Sequence, residues 1–145
     1  MRRIAKFLSL AWREQWLLIE SCLLLCGAVI VVFVFPLISV RKWCSYRTRL
    51  RTRRPPKTSL ATFSETDIKW SIALARRVVP RSTCLAEALA ARMLMDRSGH
   101  DSVIHVGILK QPDGIFCSHA WLESGGRIIT GEQEELRQFQ PLQLF

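Results

Sequence analysis

A chain of 145 residues has room for one small domain and an appendage. Its net charge of +9 is unevenly spread: residues 1–57 hold 12 Lys and Arg against Glu14 and Glu20, whereas residues 58–145 hold 9 against 10 acids. The C-terminal part therefore lacks the basic working face of a nucleic-acid enzyme, and no nucleic-acid partner is expected.

Residues 16–40 (WLLIESCLLLCGAVIVVFVFPLISV) contain one charge, Glu20. As a helix the run reaches roughly 37 Å, enough for a hydrocarbon core of about 30 Å. Trp16 and Trp43 stand where interfacial aromatics would. A membrane helix is predicted at about 17–40 within an N-terminal segment 1–40; the alternative is a buried or peripheral helix docking on a partner. A signal peptide fits less well, because the apolar region is too long and no small-residue cleavage site follows. Lys and Arg are denser after the run than before it, which predicts a cytoplasmic C-terminal domain. Residues 41–63 read as a basic linker, ending in Arg53-Arg54-Pro55-Pro56-Lys57 before a Ser/Thr-containing stretch. It is suited to anionic lipid headgroups and equally to a solvated tether.

The domain is placed at 64–145. Ser64-Glu65-Thr66-Asp67 has the form of a helix N-cap with early-turn acids. Ile68, Ile72, Ala75 and Val79 then recur at helical spacing until Pro80, which must end the helix. A second helical pattern opens at Cys84 and runs to about Arg97, with Gly99 just past its end. Asp101–Leu109 reads as a strand with Ile104, Val106 and Ile108 on one face, and Ile115–Glu123 as a second strand carrying His119. Gln111-Pro112-Asp113-Gly114 supplies the turn between them, and Gly125-Gly126 turns the chain again into Arg127-Ile128-Ile129-Thr130. The fold class is α+β, with helices packed on an antiparallel sheet.

Five cysteines, at 22, 26, 44, 84 and 117, are odd in number and contain no Cys-x-x-Cys pair. Neither a disulfide framework nor a zinc site is suggested, and free thiols in a reducing cytosol fit best. A thiol is a useful nucleophile only as thiolate, which a helix N-terminus favours; the unpaired N–H groups there can also hold an oxyanion. Cys84 sits at such a start, with Ser82 or Thr83 available to cap. If Gly125-Gly126 is a two-residue turn, Ser124 pairs with Arg127 and His119 comes to face Glu132. Facing Cβ atoms lie about 4.5–5.5 Å apart, so the carboxylate would orient the imidazole. Glu123 lies roughly 13 Å along the strand from His119 and is a poor orienter. Cys117 shares the face of His119 and is the rival thiol, but it has no helix N-terminus. A metal site from Cys84, Cys117 and His119 would lack a fourth ligand, and none is expected. His105, on the face opposite Ile104, and His100, in the turn, read as structural or exposed. Equally, Cys84 can be a small buried residue, His119 a half-buried sheet residue and Glu132 a solvated acid.

Pro80-Arg81-Ser82-Thr83-Cys84-Leu85, Gly99-His100, Val106-Gly107-Ile108, His119-Ala120-Trp121-Leu122-Glu123 and Gly126-Arg127 occur in that order. Over about residues 64–135 this set resembles the transglutaminase-like leader peptidases of lasso-peptide biosynthesis, the stand-alone peptidase half of the split B protein. The resemblance implies a papain-like cysteine protease with a Cys-His-acid triad, in which Cys84 and His119 carry over directly and Glu132 stands where Asp is usual. It implies removal of a leader from a precursor peptide, with a small leader-recognition protein and an ATP-dependent lactam-forming cyclase as partners. No cofactor is expected on this chain. Competing readings are a non-catalytic transglutaminase-like adapter that holds precursor and cyclase at a membrane, and a transamidase in which an amine replaces water.

Overall fold

The computed structural model describes residues 11–34, 63–111, 114–133 and 136–142. Three helices, α1 (Trp12–Val34), α2 (Glu65–Ala75) and α3 (Cys84–Arg97), are followed by strands β1 (Val103–Lys110), β2 (Phe116–Ser124) and β3 (Arg127–Thr130). A short 3-10 turn (Leu136–Gln138) and a final strand β4 (Gln140–Leu142) complete the order. The strands form one antiparallel sheet in the order β3-β2-β1-β4, so the α+β architecture stands as expected.

Each helix boundary has a local cause. Ser64 accepts from Asp67 N–H while the Asp67 carboxylate accepts from Ser64 N–H, a reciprocal capping box that opens α2. Pro80 does not terminate α2 directly: the helix ends at Ala75, and residues 76–79 continue as tight turns. The conformation required before a proline unwinds the last turn. Gly99, at φ 80, closes α3 with His100 N–H donating to Met95 O and Gly99 N–H to Asp96 O. Gly125 and Gly126, at φ 54 and 78, make the two-residue turn between β2 and β3.

The expected repeat of Ile68, Ile72, Ala75 and Val79 is buried, together with Ala88, Leu89, Ala91, Leu94 and Met95 of α3. Ile104, Leu122 and Ile129 bring the sheet into the same core. So does α1. Leu17, Leu25 and Ala28 join this core, and the buried Ser21 hydroxyl lies 2.9 Å from that of Ser71 on α2. Arg97 at the end of α3 pairs with Glu20. The segment expected to precede the domain is thus built into it, and it begins at Trp12 rather than near residue 17. Residues 35–40 of the expected membrane helix, and 41–62 of the basic linker, lie outside the described residues.

Alternation divides the sheet into two faces. Ile104, Val106 and Leu122 meet the helices, whereas His105, Gly107, His119 and Trp121 belong to the other face, covered in part by Phe139.

Candidate active site

Cys84 is the first residue of α3 and is half-buried, with a free thiol. Thr83 is the N-cap, its hydroxyl accepting from Ala86 N–H at 3.3 Å. Ser82 instead donates to Glu87 Oε1 at 3.1 Å. Glu87, one turn into α3 and 8% exposed, also lies 3.8 Å from Arg76. A carboxylate this buried needs such partners, and the set pins the approach to Cys84 onto the helix that carries it. Arg81 holds φ 59, the single positive value outside glycine among the described residues. That strained residue reverses the chain between Pro80 and the cap, three positions before the thiol.

His119 lies in β2 and is buried. Its ring stacks on Trp121 at 6.3 Å between centroids and tilts against Phe139 at 5.6 Å. Nε2 stands 2.8 Å from the carbonyl oxygen of Gly131. A carbonyl only accepts, so this contact puts the hydrogen on Nε2 and leaves Nδ1 as the basic nitrogen of the neutral ring.

The register that was to set Glu132 against His119 holds for two pairs only. Ser124 faces Arg127 and Glu123 faces Ile128, but Leu122 faces Thr130, because a bulge absorbs Ile129. The extra residue moves Glu132 out of register with His119. Its carboxylate instead accepts from Lys69 Nζ at 3.0 Å, with both side chains well exposed. Gly131 is the residue this requires. Its φ is 80, and a Cβ there would lie 2.6 Å from Ala120 O and 2.8 Å from Trp121 Cβ. Only a glycine lets the chain lie so close to β2 and offer its carbonyl to the histidine.

The other residues singled out in the sequence have separate places. Cys117 is half-buried on the His119 strand. His105 stacks on Trp121 at 5.3 Å with Nε2 3.4 Å from Glu123, which accounts for both. His100 Nε2 bonds the Phe63 carbonyl at 2.8 Å. No cluster of metal-ligating side chains occurs among the described residues.

The cysteine-bearing helix packs on the face of the sheet that carries Ile104 and Leu122, whereas His119 lies on the opposite face with Trp121 and Phe139, so the structure does not bring the two predicted residues together. Among the described residues no hydrogen bond joins Cys84 to His119. Between α2, the first turn of α3 and β3 lies a groove of about 140 Å³ lined in part by Lys69, Arg76, Glu87, Thr130, Gly131 and Glu132, and neither Cys84 nor His119 lines it. Sequence reasoning did not single out Gly131 or Glu87. An isolated glycine just past a strand is the signal for the first; an acid one turn after the cysteine gives none for the second.

The family model described as transglutaminase-like superfamily, Transglut_core3, matches residues 27–144. The chain belongs to the transglutaminase-like superfamily. The match begins inside α1 and continues through the whole sheet, so this transglutaminase-like domain includes part of the apolar helix. No curated protein and no solved structure matches the chain. The superfamily includes cysteine proteases, and the order here is cysteine at a helix start, then histidine on a strand.

Proposed function

We propose that the protein is a cysteine peptidase that removes the leader from a ribosomally made lasso-peptide precursor. The observation that carries this reading is the His119 ring, tied at Nε2 to the Gly131 carbonyl with Nδ1 left basic, in a chain whose other candidate is a thiol at a helix start. This reading requires Cys84 and His119, which strand alternation sets on opposite faces of the sheet, to be brought together; Nδ1 of His119 then takes the proton of the Cys84 thiol, and the thiolate adds to the carbonyl carbon of the scissile amide. The free N–H groups at the start of α3 are available to the resulting oxyanion. The C–N bond then breaks, and the imidazolium gives its proton to the departing amine. Water, deprotonated by His119, adds to the thioester and releases the acid and the thiol. The Gly131 carbonyl takes the orienting place assigned in sequence to Glu132. The partners on this reading are the precursor peptide, a small leader-recognition protein and a lactam-forming cyclase. The site of action is the cytoplasmic side of the inner membrane.

The test is leader removal from one precursor, with its recognition partner, by Cys84→Ala and Cys117→Ala. Cys84→Ala abolishes cleavage and leaves the fold intact; full processing by Cys84→Ala with none by Cys117→Ala transfers the nucleophile's role to Cys117. A second reading, a non-catalytic adapter holding precursor and cyclase together, is favoured by the engagement of Glu132 with Lys69. On that reading Cys84→Ala supports full maturation, whereas deletion of the whole chain does not. A transamidase would share the thioester, and the mass of the released product separates amine capture from hydrolysis.

A further inference from the structure

The docked face of α1, centred on Leu17, Ser21, Leu25 and Ala28, accounts for one side of the helix. Diametrically opposite, Trp12, Trp16, Ile19, Leu23, Ile30, Phe33 and Val34 are exposed, from 45% for Ile19 to 81% for Trp12. From Trp16 to Val34 the exposed residues include no charged side chain, because the one acid, Glu20, is turned toward Arg97. The helix spans roughly 35 Å, so the stripe is long as well as apolar. A contiguous apolar stripe of this kind marks an interaction surface.

Two observations say what covers it. First, residues 41–57 follow the helix with eight Lys and Arg and no acid. A cluster of that size close to an apolar helix matches a surface of anionic lipid headgroups. Second, the docking weighs against a crossing of the bilayer, for which α1 by itself is long and apolar enough. Leu17, Ser21, Leu25 and Ala28 occupy the middle of α1 and are buried against α2 and α3. If α1 crossed a bilayer while docked, it would drag in Lys69 on α2 and Arg92, Asp96 and Arg97 on α3, a prohibitive burial of charge. If it crossed undocked, Ile68, Ile72 and Leu94 would lose their cover.

We propose that α1 stays docked on its own domain and lies in the plane of an anionic membrane surface, its Trp12–Val34 stripe sunk at the headgroup level. The inference rests on the membrane association proposed above and adds its geometry: both ends of the chain stay on one side. In-plane helices bind through buried apolar area plus attraction to anionic lipid, the two contributions the stripe and the basic segment supply.

The full chain carries an epitope tag at each end. It is floated with phosphatidylcholine vesicles and with vesicles containing about one third phosphatidylglycerol, and its tags are exposed to protease in sealed membrane vesicles. Flotation with the anionic vesicles alone is expected, weakened by salt. Replacing Leu23, Ile30 and Phe33 together by Ser lowers partitioning on the order of 100-fold or more. In sealed vesicles the two tags share one fate. One protected tag and one digested tag overturn the in-plane geometry while leaving membrane association standing. Equal flotation with phosphatidylcholine overturns the assignment to anionic lipid. A chain that floats with neither, as a monomer or as a dimer closed over the stripe, overturns both the geometry and the association.

Discussion

Gly131→Ala isolates the contact on which the histidine's orientation depends. The new Cβ would meet Ala120 O at 2.6 Å, Trp121 Cβ at 2.8 Å and Trp121 Cα at 2.9 Å. Two of these are backbone atoms of a central strand and cannot swing aside. Holding an L-residue at φ 80 costs about 1–2 kcal/mol, and overpacking a further 1–3 kcal/mol. The expected loss is about 2–5 kcal/mol, a fall in melting temperature of roughly 6–15 °C for a chain of this size. The Gly131 carbonyl must move with its Cα, releasing Nε2 of His119. Thermal melts by circular dichroism read the first effect, and imidazole nitrogen shifts at low temperature read the second, as loss of the Nε2–H tautomer. Gly107→Ala is the control, since its Cβ meets the side chains of Phe139 and Trp121 rather than backbone; it is destabilised with the tautomer kept. A Gly131→Ala protein melting within about 2 °C of the parent and holding the same tautomer would refute the reasoning.

Glu132→Gln, which removes only an exposed pair with Lys69, should cost under about 1 kcal/mol and leave cleavage within about threefold. A loss of ten- to ten-thousand-fold, on the scale of orienting acids elsewhere, would restore Glu132 to the triad. Thr83→Ala deletes the cap of the cysteine helix and should lower stability by about 0.5–2 kcal/mol in a denaturant titration. Arg81→Gly relieves a left-handed residue worth about 1–2 kcal/mol against a smaller gain in unfolded-chain freedom. A net stabilisation of up to about 1 kcal/mol is expected, and a lower melting temperature would contradict it.

The elements were legible where a local rule acts alone. Ser64 with Asp67, the apolar repeat to Val79, Gly99 after the cysteine helix and the paired glycines at 125–126 each determine backbone geometry within a few residues. The failure of the expected His119–Glu132 pairing was not legible, because a period of two survives on either side of a bulge and only its phase changes. Gly131 carried the missing signal, since a lone glycine after β-branched residues marks close backbone approach. β4 was hidden by Pro141, which interrupts strand patterning yet is tolerated at a sheet edge. The docking of α1 was illegible for a different reason. A helix apolar on every side gives no sign of which side meets protein.

That docking has a consequence for how the chain is made. Translation delivers α1 first, while its binding surface on α2 and α3 is completed only at Arg97, 63 residues after Val34. During that interval both faces of the helix are uncovered. Whatever shelters it, lipid or chaperone, must release the Leu17–Ala28 face when α3 emerges while it can keep the opposite face. A protein shortened to residues 63–145 would stay in that unfinished state permanently. The shortened domain would present Ile68, Ile72 and Leu94 to water, along with the Ser71 hydroxyl deprived of Ser21. The apolar helix therefore cannot be exchanged for an arbitrary apolar segment. A replacement must reproduce the small and branched residues at 17, 21, 25 and 28, so whatever the exposed face of the helix binds is inherited together with the folding of the domain.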